Sequence, residues 1–143
     1  IAIPGVIGGK TFSESIPLAA KLIELVGMGE WANHRPYDLS GGQQQRIALA
    51  RSLLLDPKFI IADEPTGNLD IKAGETLMTL LRNISQQFGI TIMMVTHNID
   101  QYKFGSRIVN MVDGRVTSDA INQHSIETME QDVIDLKQKT DTV

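Results

Sequence analysis

The sequence predicts an α/β fold, a parallel sheet with an α-helical subdomain ahead of it. Three observations point there. Two short apolar runs, Phe59 to Ala62 and Ile90 to Val95, have the length and composition of buried parallel strands. Between them Leu77, Leu80, Leu81 and Ile84 recur at helical spacing. A strand–helix–strand order of this kind implies parallel pairing and a right-handed crossover. Ahead of the first run, residues 12–56 read as helices and connections.

Each element has a local justification. Pro4 to Thr11 superficially fits the phosphate-binding pattern G-x-x-x-x-G-K-[ST]. Pro4 stands where the first glycine is required, and Gly5 comes one place late. Only Ile1-Ala2-Ile3 precedes it, too little for the buried strand a P-loop follows. Lys10 is therefore expected to be a solvated loop lysine. Thr11 or Ser13 can cap the next helix, with Pro17 in its first turn and Leu18, Leu22, Leu25 and Val26 as its apolar stripe. Gly27 is its expected stop. Trp31 and Tyr37 lie in the connection and are expected to pack on the following helix, and His34 is expected at the surface. Ser40 is a good N-cap for that helix. Ile47, Ala50, Leu53 and Leu54 give it an apolar face, and Asp56-Pro57 ends it, because proline disfavours αR at the residue before it.

After the first strand, Gly67 to Asp70 reads as a turn whose aspartate caps a helix reaching about Phe88, stopped at Gly89. Met93 and Met94, in the second strand, read as core filler. Arg107 to Val112 and Arg115 to Thr117 flank Asp113-Gly114, a two-residue hairpin signal. Ile126, Met129, Val133 and Leu136 suggest a weakly amphipathic peripheral helix, and Lys137 to Val143 a disordered tail.

Composition narrows the function classes. At 143 residues the chain suffices for one domain with a sizeable core. It has no cysteine, which excludes disulfides and thiolate chemistry. A net charge of −4 gives no support for nucleic-acid binding. No apolar run approaches the roughly 20 residues needed to span a bilayer. No signal peptide is visible, so a cytosolic compartment is expected. The first residue is Ile1 rather than methionine, and an excised or incomplete chain is expected.

Three pieces between Leu39 and Asp70 carry chemistry. Leu39-Ser40-Gly41-Gly42-Gln43 opens a helix whose unpaired N–H groups and positive dipole end suit a phosphate, and its glycines admit close approach. For a lone Ser-Gly-Gly, an ordinary capped helix is the simpler account. Asp63 and Glu64 fall at the C-terminal end of a strand, where open α/β sheets place ligands. Aspartate there can hold Mg²⁺, and glutamate can orient or deprotonate water. Alone, the pair would read as the start of a polar loop. Gly67-Asn68-Leu69-Asp70 supplies a third carboxylate. At the end of the second strand, Thr96-His97 places an imidazole where it could sense a terminal phosphate. By itself such a histidine is more often structural.

Together these pieces resemble the ABC-type ATPases, the motor subunits of ABC transporters. Residues 39–43 match the family signature, residues 59–64 its Walker B strand and catalytic glutamate, residues 67–70 its D-loop and His97 its H-loop. The resemblance runs from Ile1 to about Thr117. The form DEPTGNLD is further similar to the lipoprotein-release, macrolide-export and cell-division subgroup. The resemblance implies a P-loop NTPase-like parallel sheet, here its C-terminal part, with a helical signature subdomain. It divides the chain into a helical subdomain at residues 1–57, an α/β core part at 58–118 and a peripheral helix or tail at 119–143. The N-terminal stretch resembles the short extended run after the Q-loop.

The resemblance also implies ATP and Mg²⁺ as cofactors. Two ATPase domains would close head to tail around ATP. Glu64 would activate water, Asp63 secure Mg²⁺ and His97 contact the γ-phosphate. Ser40, Gly41, Gly42 and Gln43 would reach ATP across the interface, and Asp70 would couple the two sites. Transmembrane permease subunits would hold the domain on the inner, cytoplasmic face of the membrane. P-loop, aromatic loop and Q-loop are not found here, so a C-terminal part inactive on its own is expected. Two rivals are a non-transport ABC ATPase and a non-catalytic interaction module that keeps the signature surface. The absence of sustained heptads before the signature counts against the DNA-repair kind of the first.

Overall fold

The computed structural model describes residues 1–125 and residue 127. The helix expected around Ile126 to Leu136 and the tail beyond it lie outside the described residues. Two compact units divide the chain, one spanning Ile1–His97 and the other starting at Asn98.

The first unit opens with a short helix, α1 (Ile3–Ile7), where an extended run was expected. Pro4 falls in its first turn, where a missing N–H costs no hydrogen bond. What fixes this turn is tertiary packing. A Cβ at Gly5 would lie 2.6 Å from Ser15 Oγ and 3.0 Å from Leu54, so α1 is pressed on its neighbours through a bare backbone. Among the described residues the stretch before Gly8-Gly9-Lys10 is helical, and Lys10 is an exposed loop residue.

Helix α2 (Phe12–Leu25) begins with a capping box, Thr11 accepting from the Glu14 N–H while the Glu14 carboxylate accepts from the Thr11 N–H at 2.7 Å. Pro17 lies past the first turn, inside the helix, a correction to its expected place. It removes the bond that residue 17 would donate to Ser13. Ser15, Ala19 and Val26 are the buried positions, and Leu18, Leu22 and Leu25 are half-buried. The connection holds two single 3₁₀ turns, Gly29–Trp31 and Pro36–Asp38. Trp31 is half-buried with its ring 4.8 Å from that of His34, which is exposed. Tyr37 does not pack as expected: it is 71% exposed, and its hydroxyl accepts from the neighbouring Arg35 guanidinium.

Helix α3 (Gly41–Leu53) is capped by Ser40 and buries Leu49, Ala50 and Leu53. Asp56 turns the chain at φ 50 before Pro57. Strand β1 (Phe59–Asp63) pairs in parallel with β2 (Thr91–Val95), in the register Phe59↔Thr91, Ile61↔Met93 and Asp63↔Val95. Between them α4 (Ile71–Phe88) buries Gly74, Leu77, Met78, Leu81 and Ile84. It stops at Gly89, whose φ of 63 is left-handed, a conformation that costs glycine little.

The strands were expected to be buried on both faces, and they are not. Ile60 is buried, and Ala62, Ile92 and Met94 are half-buried. The opposite face, with Phe59, Ile61, Met93 and Val95, is open, Ile61 being 64% exposed. Met93 is therefore no core filler, since its register partner Ile61 shares the open face.

The second unit contains a 3₁₀ segment, Ile99–Phe104, and an antiparallel hairpin of β3 (Arg107–Val112) and β4 (Arg115–Ile121). Asp113 and Gly114 both have positive φ, 48 and 74, as a type I′ turn requires. β4 runs four residues past the expected Thr117, which stands at a break in register. Asn122 donates to the carbonyls of Tyr102 and Gly105, tying the 3₁₀ segment to the hairpin's end.

Candidate functional site

The parallel register brings the ends of β1 and β2 together, and the candidate carboxylates fall there. Asp63 is the last residue of β1, exposed and opposite Val95. Glu64 follows directly. Its N–H donates to the Val95 carbonyl at 2.9 Å, which latches the chain after β1 to the end of β2. Its φ of 41 is left-handed, an uncommon and costly conformation for a residue with a side chain.

The Glu64 carboxylate is held by the two residues after β2. Oε1 accepts from the His97 N–H at 3.0 Å and lies 2.7 Å from His97 Nδ1. Oε2 accepts from the Thr96 hydroxyl at 3.4 Å. The His97 ring, above all, holds the Glu64 carboxyl below its ordinary range; partial burial opposes this, and the His97 N–H, the charge of His97 and the Thr96 hydroxyl assist. An ionised Glu64 only accepts, so Nδ1 carries the proton of this pair and Nε2 is the ring atom it leaves unused. Glu64 is 35% exposed and His97 85% exposed at the side chain, so the pair is open to a ligand.

The signature residues assemble at the start of α3. Ser40 Oγ accepts from the Gln43 N–H, and the Gln43 side-chain oxygen accepts from the Ser40 N–H at 2.8 Å. This capping box uses two donors of the helix start and leaves the N–H groups of Gly41 and Gly42 outside it. A Cβ at Gly42 would lie 3.3 Å from Ala73, and one at Gly41 would lie 3.5 Å from Leu69. The start of α3 therefore rests on the Gly67 to Asp70 turn and the first turn of α4. Asp70 caps α4, accepting from the Ala73 N–H at 2.9 Å.

Two groupings result: Asp63, Glu64 and His97 at the strand ends, and Ser40 to Gln43 on the Asp70 turn. Three supporting groups were not anticipated. The Thr96 hydroxyl reaches Glu64 only because of the strand register. Leu69 and Ala73 support the glycines. Gln44 donates to the carbonyls of Pro36 and Leu39, bracing the connection before the signature. The run Gln43-Gln44-Gln45 was the available signal for Gln44, although nothing in it distinguishes the bracing glutamine from its neighbours.

Comparison with known proteins points to one family. Residues 10–67 match the family model described as ABC transporter. The chain belongs to the ABC-type ATPases. It is 41% identical over 119 residues to the lipoprotein-releasing system ATP-binding protein LolD of Geobacter metallireducens, covering 83% of this chain and 53% of that one. It is 48% identical over 105 residues to the macrolide export ATP-binding/permease protein MacB of Chlorobaculum tepidum, covering 73% of this chain and 16% of that one. Among solved structures, the ATP-binding cassette MJ0796, a dimer in a post-hydrolysis state bound to ADP and Pi, superposes with a TM-score of 0.67 at 40% identity, covering 78% of this chain and 49% of that one. The chain thus spans about half the length of that cassette and of LolD. Its fold is the α/β architecture of these cassettes, with a parallel strand pair and a helical signature region. Among the described residues no helix is long and apolar enough to cross a membrane.

Proposed function

We propose that this chain is the C-terminal part of the ATP-hydrolysing subunit of an ABC transporter, in the subgroup of LolD and MacB. The observation that carries this is the Glu64 carboxylate, ionised at the C-terminal end of a parallel strand, next to Asp63 and tied to His97. Such a carboxylate can accept a proton from an attacking water. Its tie to His97 keeps it charged and oriented, and Nε2 of His97 faces the role of contacting the terminal phosphate.

The donor chemistry fits Mg²⁺ with a nucleotide. Mg²⁺ favours one or two carboxylates with phosphate oxygens and water completing its shell. Asp63 supplies one exposed carboxylate, and no cluster of three or more acidic, histidine or cysteine residues suited to a metal occurs among the described residues. When bound, Mg-ATP supplies the phosphoryl group and the cation that offsets its charge. Ser40, Gly41, Gly42 and Gln43 offer a helix start to the nucleotide of a second ATPase domain, placed head to tail, and Asp70 anchors the turn beneath them. Closure of two such surfaces on ATP would link binding to dimer formation, and hydrolysis to release.

In this reading residues 1–57 form the helical subdomain and residues 58–97 part of the nucleotide-binding core. Permease subunits would hold the complete protein on the cytoplasmic face of the membrane. Residues 4–11 lack the P-loop pattern, so the 143-residue chain alone is expected not to turn over ATP. The test is Glu64→Gln in the full-length protein. ATP binding should persist while turnover falls by about 10²- to 10⁴-fold. Wild-type turnover in that variant would remove Glu64 from the role of base.

A further inference from the structure

The Glu64 carboxylate is anchored unevenly. Both donors of His97 converge on Oε1, at 3.0 Å and 2.7 Å. Two bonds to a single oxygen fix its position but leave the plane of the carboxylate free to turn about it, and the terminal torsion of glutamate is broad and soft. Oε2 is the oxygen left to meet a water, and the donor facing it is the Thr96 hydroxyl. Threonine is β-branched, with few side-chain rotamers, so its hydroxyl is a well-placed donor. The backbone sets the two residues in adjacent rows, because the Glu64 N–H is bonded to Val95, the residue before Thr96.

We infer that Thr96 is a positioning residue: its hydroxyl, donating to Oε2, sets the rotation of the Glu64 carboxylate so that one acceptor direction of that oxygen stays aimed at the attacking water. The contact is 3.4 Å here. Hydrogen bonds of a catalytic group are often long without ligand and shorten when substrate is bound. The inference rests on the base role proposed for Glu64.

The experiment uses the full-length protein and three variants, Glu64→Gln, Thr96→Val and Thr96→Ser. Valine keeps the shape of threonine and removes the hydroxyl, and serine keeps the hydroxyl. Thr96→Val should lower kcat by about tenfold, the order expected when a charge-assisted hydrogen bond is lost. It should leave KM for Mg-ATP and the melting temperature at wild-type values, and Thr96→Ser should restore most of kcat. A wild-type kcat in Thr96→Val would overturn the inference. So would a Thr96→Val protein that loses melting temperature and activity together, or a Thr96→Ser protein as slow as the valine variant, since either marks a role in packing alone. Glu64→Gln separates the two claims. If it abolishes turnover while Thr96→Val is unaffected, only the role of Thr96 falls; if it turns over normally, the base assignment itself falls.

Discussion

Glu64 and His97 depend on each other, and the dependence can be read on the chain as it stands. The imidazole of His97 is the largest cause of the lowered Glu64 pKa. His97→Ala should therefore move the Glu64 titration upward, toward ordinary glutamate, as followed by carboxyl-carbon NMR across an acid titration. The sign for stability follows from the direction. A carboxylate whose folded pKa is depressed contributes stability that is complete above its unfolded value and is lost as pH falls through the folded value. The wild-type chain should thus lose this contribution on acidification, and His97→Ala should show a weaker acid dependence. An unchanged Glu64 titration in the variant would mean the 2.7 Å contact is not formed in solution.

Helix starts decide the middle of the unit. Ser40 and Asp70 cap α3 and α4, and those two helix starts meet through Gly42 and Ala73. Ser40→Ala and Asp70→Ala should each lower unfolding stability by about 1 kcal/mol, measured by denaturant titration of the chain. The Asp70 cap was legible in the sequence because a cap is a local event: an oxygen-bearing side chain, then an N–H three residues on. The same holds for Gly89 and for Asp113-Gly114. Elements that depend on what lies beside them were less legible. The N-terminal stretch was expected to hold a short extended run, yet with Gly5 seated against Ser15 residues 3–7 form α1. Pro17 was placed a turn too early, because a polar start of helix does not reveal which hydroxyl wins the cap, and Thr11 wins it. Within the candidate site the strand ends were predictable from hydrophobic runs, so Asp63, Glu64 and His97 could be assigned to the same end of a parallel strand pair. The bonds among them, and the hydroxyl of Thr96, depend on the strand register, which spacing alone does not set.

Across the first unit, the open face of the β1–β2 pair is the largest departure from expectation. Phe59, Ile61, Met93 and Val95 present apolar side chains where a parallel sheet is normally covered on both sides. Exposed apolar sheet surface promotes association. The isolated chain should therefore show an apparent mass that rises with concentration in light scattering, and Ile61→Lys with Met93→Lys should suppress that rise. A wild-type chain that stays monomeric over the same range would show that this face is not adhesive. The apolar runs of both strands were read correctly as strands. Whether each face is covered depends on neighbours that a run of residues cannot specify.

The left-handed backbone at Glu64 carries a cost for anyone who would make this protein more robust. A variant library ranked by melting temperature alone would drift at position 64 toward glycine or asparagine, which occupy that backbone region at little cost. Each such gain would discard the carboxylate. Durability and chemistry pull this one backbone angle in opposite directions, so position 64 is best left untouched.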